Sequence, residues 1–221
     1  MRLFQKEIKK RIGPYMKQQG FRLHNRTYSY LSNHIALCVS FEQPGGMMYT
    51  YVHVNPLYIP QDCVYFSYGN RLNNIAAFKL PPLSETHTPT DLDNWCEMFI
   101  RCMNSHVLPF FWQVDSPEKL LAYAEHPVRT ASDSIICAAP WLIEKLKLYT
   151  HLYLGNLPAA RNIIASYQNT LQYTPLVPSL RDKFHQDAKE LGSLISSGDA
   201  AVRDFCRQTI VNTTQLFIKS T

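Results

Sequence analysis

The chain has 221 residues, 46% hydrophobic and 18% charged, enough to bury a core as one domain or a compact pair and too apolar for a disordered segment. Its net charge of +5 is modest and concentrated at the start, where Lys6, Lys9, Lys10 and Arg11 read as the wet side of a helix rather than a nucleic-acid footprint. The six cysteines form no C-x-x-C pair and no Cys/His cluster at ligand spacing, so no metal is expected and most read as small core hydrophobes.

MRLFQKEIKK lacks the apolar core of a signal peptide, and no later segment is long and apolar enough to span a bilayer. A reduced, cytoplasmic protein without a membrane role is therefore expected, and the sequon at Asn212 then carries no glycan. In chain order, Leu3, Phe4, Ile8, Ile12 and Tyr15 recur at helical spacing, with a kink or break expected at Gly13-Pro14 and a stop at Gly20. RTYSYLS and HIALCVSFEQ then alternate with a period of two, Ile35, Leu37, Val39 and Phe41 on one face and Ala36, Cys38 and Ser40 on the other. MYTYVHVNP continues the pattern: Met48, Thr50, Val52 and Val54 oppose Tyr49, Tyr51, His53 and Asn55. Turn residues at Asn33 and in QPGG make these an antiparallel meander, with a fourth strand expected in CVYFSYG, residues 63 to 69.

KLPPLSETHTPT reads as the loop that ends the sheet, after which Thr90 or Asp91 caps a helix carrying Leu92, Trp95, Cys96, Phe99, Met103 and Val107 on one stripe; Pro109 ends or kinks it. Ser116 and Pro117 start another helix. The last third reads as all helical, with a helical hairpin turning at Gly155 that has small Ala159 and Ala160 at the close approach and resembles half of a tetratricopeptide-type unit. The fold class is thus α+β: an N-terminal helix on a meander of about four strands, followed by a bundle of five or six helices, divided into an α+β domain over residues 1–130 and a helical bundle over 131–221 packed on it as one unit.

The first helix ending in QQGF, the strand YTYVHVNPLYI, the segment YGNRL, the Trp-bearing helix and VLPFFWQVDSPEKLLAY, in that order, resemble the bacterial family catalogued as the domain of unknown function numbered 4304. The likeness covers about residues 1 to 130. It implies a small α+β protein and brings no activity with it. A looser similarity to toxin-immunity and accessory proteins implies a binding role by analogy of fold alone.

No G-x-G-x-x-G, G-x-x-x-x-G-K-[ST], G-x-S-x-G or H-E-x-x-H occurs, so the common nucleotide, hydrolase and zinc-protease signatures are excluded; no cofactor and no catalytic residue is assigned. A dispersed polar set remains as candidate ligand contacts: Tyr49, Tyr51, His53 and Asn55 on one strand face, Tyr68 and Arg71 after the next strand, and Trp95 as a pocket lining. By residue type His53 suits a general base or a neutral donor, and the Arg71 fork suits a carboxylate or phosphate. The expected function is a non-enzymatic intracellular protein-binding or accessory module using the Tyr-rich face or the hairpin groove. The rivals are a small-ligand binder or enzyme with a pocket between sheet and helices, and an immunity-type protein of a bacterial toxin system. Nucleic acid ranks last, because the strands carry little Lys or Arg.

Overall fold

The computed structural model describes residues 4–64, 66–78, 80–126, 134–172 and 178–218. It is an α+β fold: an N-terminal helix, an antiparallel sheet and a helical C-terminal half. The expected boundary between residues 130 and 131 lies outside the described residues.

A π-helical turn at Phe4–Ile8 leads into α1 (Lys9–Gln18), whose Ile8, Ile12 and Met16 are buried at i, i+4 spacing. The helix does not break at Gly13-Pro14. Pro14 sits on the exposed side, where water can satisfy the carbonyl that loses its N–H partner. Gly20, at φ +83°, closes the end as the backbone N–H groups of Gly20 and Phe21 donate to the carbonyls of Lys17 and Met16.

The meander comprises β1 (Arg22–His24), β2 (Thr27–Ser32), β3 (Ile35–Glu42), β4 (Met47–Pro56) and β5 (Gly69–Arg71), paired in that order, while a short β6 (Leu83–Ser84) pairs with the start of β4. Six strands are thus described where about four were expected. Asn33 and His34, both at positive φ, make the two-residue β2–β3 turn, whose backbone suits the twist of the flanking strands. The strand expected in CVYFSYG is displaced: pairing begins only at Gly69 and runs through Arg71 against Tyr51, Val52 and His53. Phe66 instead turns its ring onto β4, and Tyr65 lies outside the described residues.

After α2 (Pro89–Cys102) the helix continues through a π-helical turn at Met103–Val107 into α3 (Leu108–Gln113), so Pro109 does not end it. Pro109 has no N–H for the Ser105 carbonyl, and the wider turn absorbs the missing rung. The start of α2 also differs from Thr90 or Asp91: Thr88 is the cap, its hydroxyl accepting from the Asp91 N–H while the Asp91 carboxylate accepts from the Thr88 N–H. Ser116 caps α4 (Pro117–Ala124) as expected. Then come α5 (Pro140–Tyr153), α6 (Leu157–Gln172), α7 (Pro178–Ser196) and α8 (Asp199–Ile218), with α5 packed on both α6 and α8 and α7 between α6 and α8 in contact order. The hairpin turns at Gly155, φ +75°, and Ala160 is buried there.

Both faces of the sheet are covered. Ile35, Leu37, Val39 and Phe41 of β3 and Met48, Val52 and Val54 of β4 share the main core with α1 and α2. On the opposite face Ala36 and Cys38 pack with Leu57 and with Phe217 of α8; burying a phenyl ring of this kind contributes about 1.5–3 kcal/mol. No helix among the described residues is long and apolar enough to cross a membrane.

Candidate functional site

Strand alternation sends Tyr49, Tyr51, His53 and Asn55 to the same side of β4, but their environments diverge along the strand. Tyr49 and Tyr51 are half-buried, His53 is fully buried, and Asn55 keeps 3% of its surface. Phe66 stacks on Tyr51 at 5.1 Å between ring centroids and meets the His53 ring edge-on at 4.7 Å. Gly69 lies opposite His53 in the β4–β5 ladder, where an added Cβ would fall 2.4 Å from the His53 Cβ and 2.5 Å from the Val52 carbonyl oxygen. A glycine is what lets β5 close over the histidine.

Sealed in this way, His53 sits in a polar chain. Its Nε2 lies 2.7 Å from Ser40 Oγ, which lies 2.7 Å from Thr27 Oγ1. Its Nδ1 lies 2.7 Å from Asn55 Nδ2, which also donates to Cys38 Sγ at 3.9 Å. Burial disfavours the imidazolium and pulls the His53 pKa down from 6.5 to about 3, so the ring is neutral at physiological pH, with one nitrogen donating and the other accepting. Burial likewise pushes the Cys38 thiol up, keeping it protonated.

The two ends of this chain open on two cavities. Thr27 lines a pocket of about 290 Å³ together with His24, Asp62, Cys63, Leu216 and Phe217. Asn55 lines a cleft of about 820 Å³ between the segment that follows β4 and helices α5, α7 and α8. Its apolar walls include Ile59, Tyr68, Leu142, Tyr149, Leu191 and Phe205. Its polar groups are Asn55, Gln61, Asp62, Lys145, Asp187 and Glu190, with Lys145 paired to Asp187 at 3.8 Å. The buried Gln61 Nε2 has no hydrogen-bond partner. Beside the sheet, Tyr58 anchors the segment to α5 through its hydroxyl, 3.0 Å from Thr150 Oγ1, and stacks on Tyr153 at 4.7 Å.

Of the seven candidates read from the sequence, Asn55 and Tyr68 line the cleft and His53 stands behind Asn55. Tyr49, Tyr51 and Arg71 form a separate stack: the guanidinium lies 4.5 Å and 4.9 Å from the two ring centroids and donates through Nε to the Tyr51 hydroxyl. Trp95 is on the other face, donating through Nε1 to the Pro81 carbonyl at 2.9 Å and stacking on Phe99 at 5.5 Å. The walls from Trp141 to Phe205 carried no signal in the sequence beyond their helical periodicity. Among the described residues no group of three or more His, Cys, Asp or Glu side chains is placed to hold a metal ion. The chain matches no family model, no curated protein and no solved structure.

Proposed function

We propose that the protein binds a small molecule in the cleft between the sheet and the helical half. The observation that carries this reading is the cleft itself: about 820 Å³, walled by aromatic and aliphatic side chains, with a few polar groups converging on it. That size and make-up suit a pocket for a molecule of drug-like dimensions. Three carboxylates, Asp62, Asp187 and Glu190, face one ammonium, Lys145, which favours neutral or cationic ligands over anions. The binding is non-enzymatic in this reading: no histidine or cysteine is among the described residues that line the cleft, and His53 behind Asn55 is buried with both ring nitrogens in hydrogen bonds.

A screen of small aromatic amines, carboxylates and neutral amides by ¹⁵N-¹H correlation spectra tests it. Shifts should cluster at residues 55–68, 141–149 and 187–194, with the amines and amides ahead of the carboxylates. Hits that map elsewhere, or a screen with none, refute it. The protein-binding reading retains one surface, the half-exposed Tyr49–Arg71–Tyr51 stack, since Tyr and Arg are the residue types that anchor protein interfaces.

A further inference from the structure

We propose that Asn55 is the specificity-determining residue of the cleft, held by His53 with its carbonyl oxygen outward, so that the preferred ligand is an apolar or aromatic molecule presenting an N–H donor. This rests on the cleft being a ligand site. Asn55 is almost wholly buried, yet it lines the cleft. One end of its carboxamide is taken: that atom lies 2.7 Å from His53 Nδ1 and 3.9 Å from Cys38 Sγ. Whatever occupies the other end is what a ligand meets.

Two polarities fit these distances. In the first, Asn55 N–H groups donate to His53 Nδ1 and Cys38 Sγ, His53 donates through Nε2–H to Ser40, and Ser40 donates to Thr27; the carbonyl is left for the cleft. In the second every bond reverses, His53 carries its proton on Nδ1, and the NH₂ group faces the cleft with two unpaired donors. Asn55 Nδ2 is the atom that lies within reach of both His53 Nδ1 and Cys38 Sγ, and an orphaned buried N–H is rarer than an under-satisfied carbonyl. The first polarity therefore stands. With that polarity the Asn55 carbonyl and the carboxylates of Asp62, Asp187 and Glu190 face one cleft, so a ligand donor meets several acceptors, while Lys145 is paired to Asp187. Gln61, whose Nε2 has no partner, is compatible, because its amide can present either end by rotation about its last bond.

His53 is then a positioning residue. It never touches the ligand, and its tautomer sets which end of Asn55 the ligand sees. The small residues on β3 matter for the same reason: Ser40 is the hydrogen-bond partner that can accept from Nε2 and pass its own proton on to Thr27, as its two 2.7 Å contacts require.

The test uses the full chain and two readouts. In ¹⁵N spectra of histidine-labelled protein, His53 should show a pyridine-type Nδ1 and a pyrrole-type Nε2; the reverse assignment overturns the proposal without any ligand or variant. Indole and benzofuran, which share a shape but differ by the N–H, are then titrated while the cleft amides are followed. Indole should bind about fivefold more tightly, the factor expected of one added hydrogen bond, and the gap should close in Asn55→Leu. Equal binding of the two at the cleft overturns the donor preference while leaving the cleft as a ligand site. If no aromatic fragment of any class shifts the cleft amides, the ligand-site reading fails and this proposal falls with it. The wild-type tautomer and the wild-type indole-to-benzofuran ratio decide the matter even if Asn55→Leu folds poorly.

Discussion

His53 should make the folded state sensitive to mild acid, and the effect can be isolated with His53→Gln. The ring is fully buried and its neighbours, Ser40, Asn55, Cys38 and Phe66, are all uncharged, so nothing offsets the desolvation of an imidazolium. Its folded pKa is pulled down to about 3 from an ordinary 6.5. A histidine whose folded pKa lies below its unfolded value contributes stability that is present above the unfolded pKa and is lost as the pH falls toward the folded one. Between those limits the unfolded chain holds about one more proton than the folded chain, a slope of roughly 1.4 kcal/mol per pH unit. Integrated from pH 7 to pH 4 the loss is about 3 kcal/mol. Glutamine keeps a hydrogen-bonding atom for the chain but does not titrate. Urea unfolding of both proteins at half-unit steps of pH gives the difference directly, with the carboxylates common to both cancelling. At pH 7 His53→Gln should be the less stable, because one buried partner of Ser40 or Asn55 is lost. The gap should shrink and then reverse as the pH falls. A difference that stays flat from pH 7 to pH 4 refutes the sealed, neutral histidine.

Gly69→Ala should destabilise the fold by about 1–3 kcal/mol, the range for overpacking, because its Cβ would meet the His53 Cβ at 2.4 Å and the Val52 carbonyl at 2.5 Å. A urea midpoint unchanged from wild type would mean that β5 does not close over His53. Brief alkylation followed by mass spectrometry should label exposed Cys63 first and buried Cys38 among the last, since Cys38 is enclosed by Leu57 and Phe217 and its thiol is pushed up by burial. Phe217→Ala should then speed labelling of Cys38 selectively; equal acceleration at Cys96 and Cys102 would point to global unfolding instead.

The strands were legible because period-two alternation is a property of single residues and their neighbours. Ile35 to Phe41 and Met48 to Val54 divide between faces as their hydrophobicity alone requires. The helix ends at Gly20, Ser116 and Gly155 were legible for a similar reason: a cap is a local device, and the residue types that perform it are few. The displaced fifth strand shows the limit. CVYFSYG alternates as well as any strand, but Phe66 lays its ring over Tyr51 and His53, and pairing shifts to Gly69–Arg71. At α2 the local signal is ambiguous: Thr88, Thr90 and Asp91 all suit a cap, and Pro89, a favoured first helical residue, settles it on Thr88 although it also continues the Pro-rich loop.

The site was less legible than the fold, since its walls come from segments separated by up to about 150 residues, and no local pattern says which helix face meets which strand face. One local sign did exist. The β3 positions facing the polar side of β4 are Ala36, Cys38 and Ser40, registered against Asn55, His53 and Tyr51. A solvated face would be expected to carry charge or larger polar groups there; small, weakly polar residues are what a covered face needs if a histidine and an asparagine are to fit beneath Phe66 and Phe217. The alternation of β4 therefore says which residues share a side, and the size of the residues on β3 says that the side is closed. Taken together they separate His53, which is buried and positions, from Asn55, which stands at the boundary where the closed face opens into the cleft.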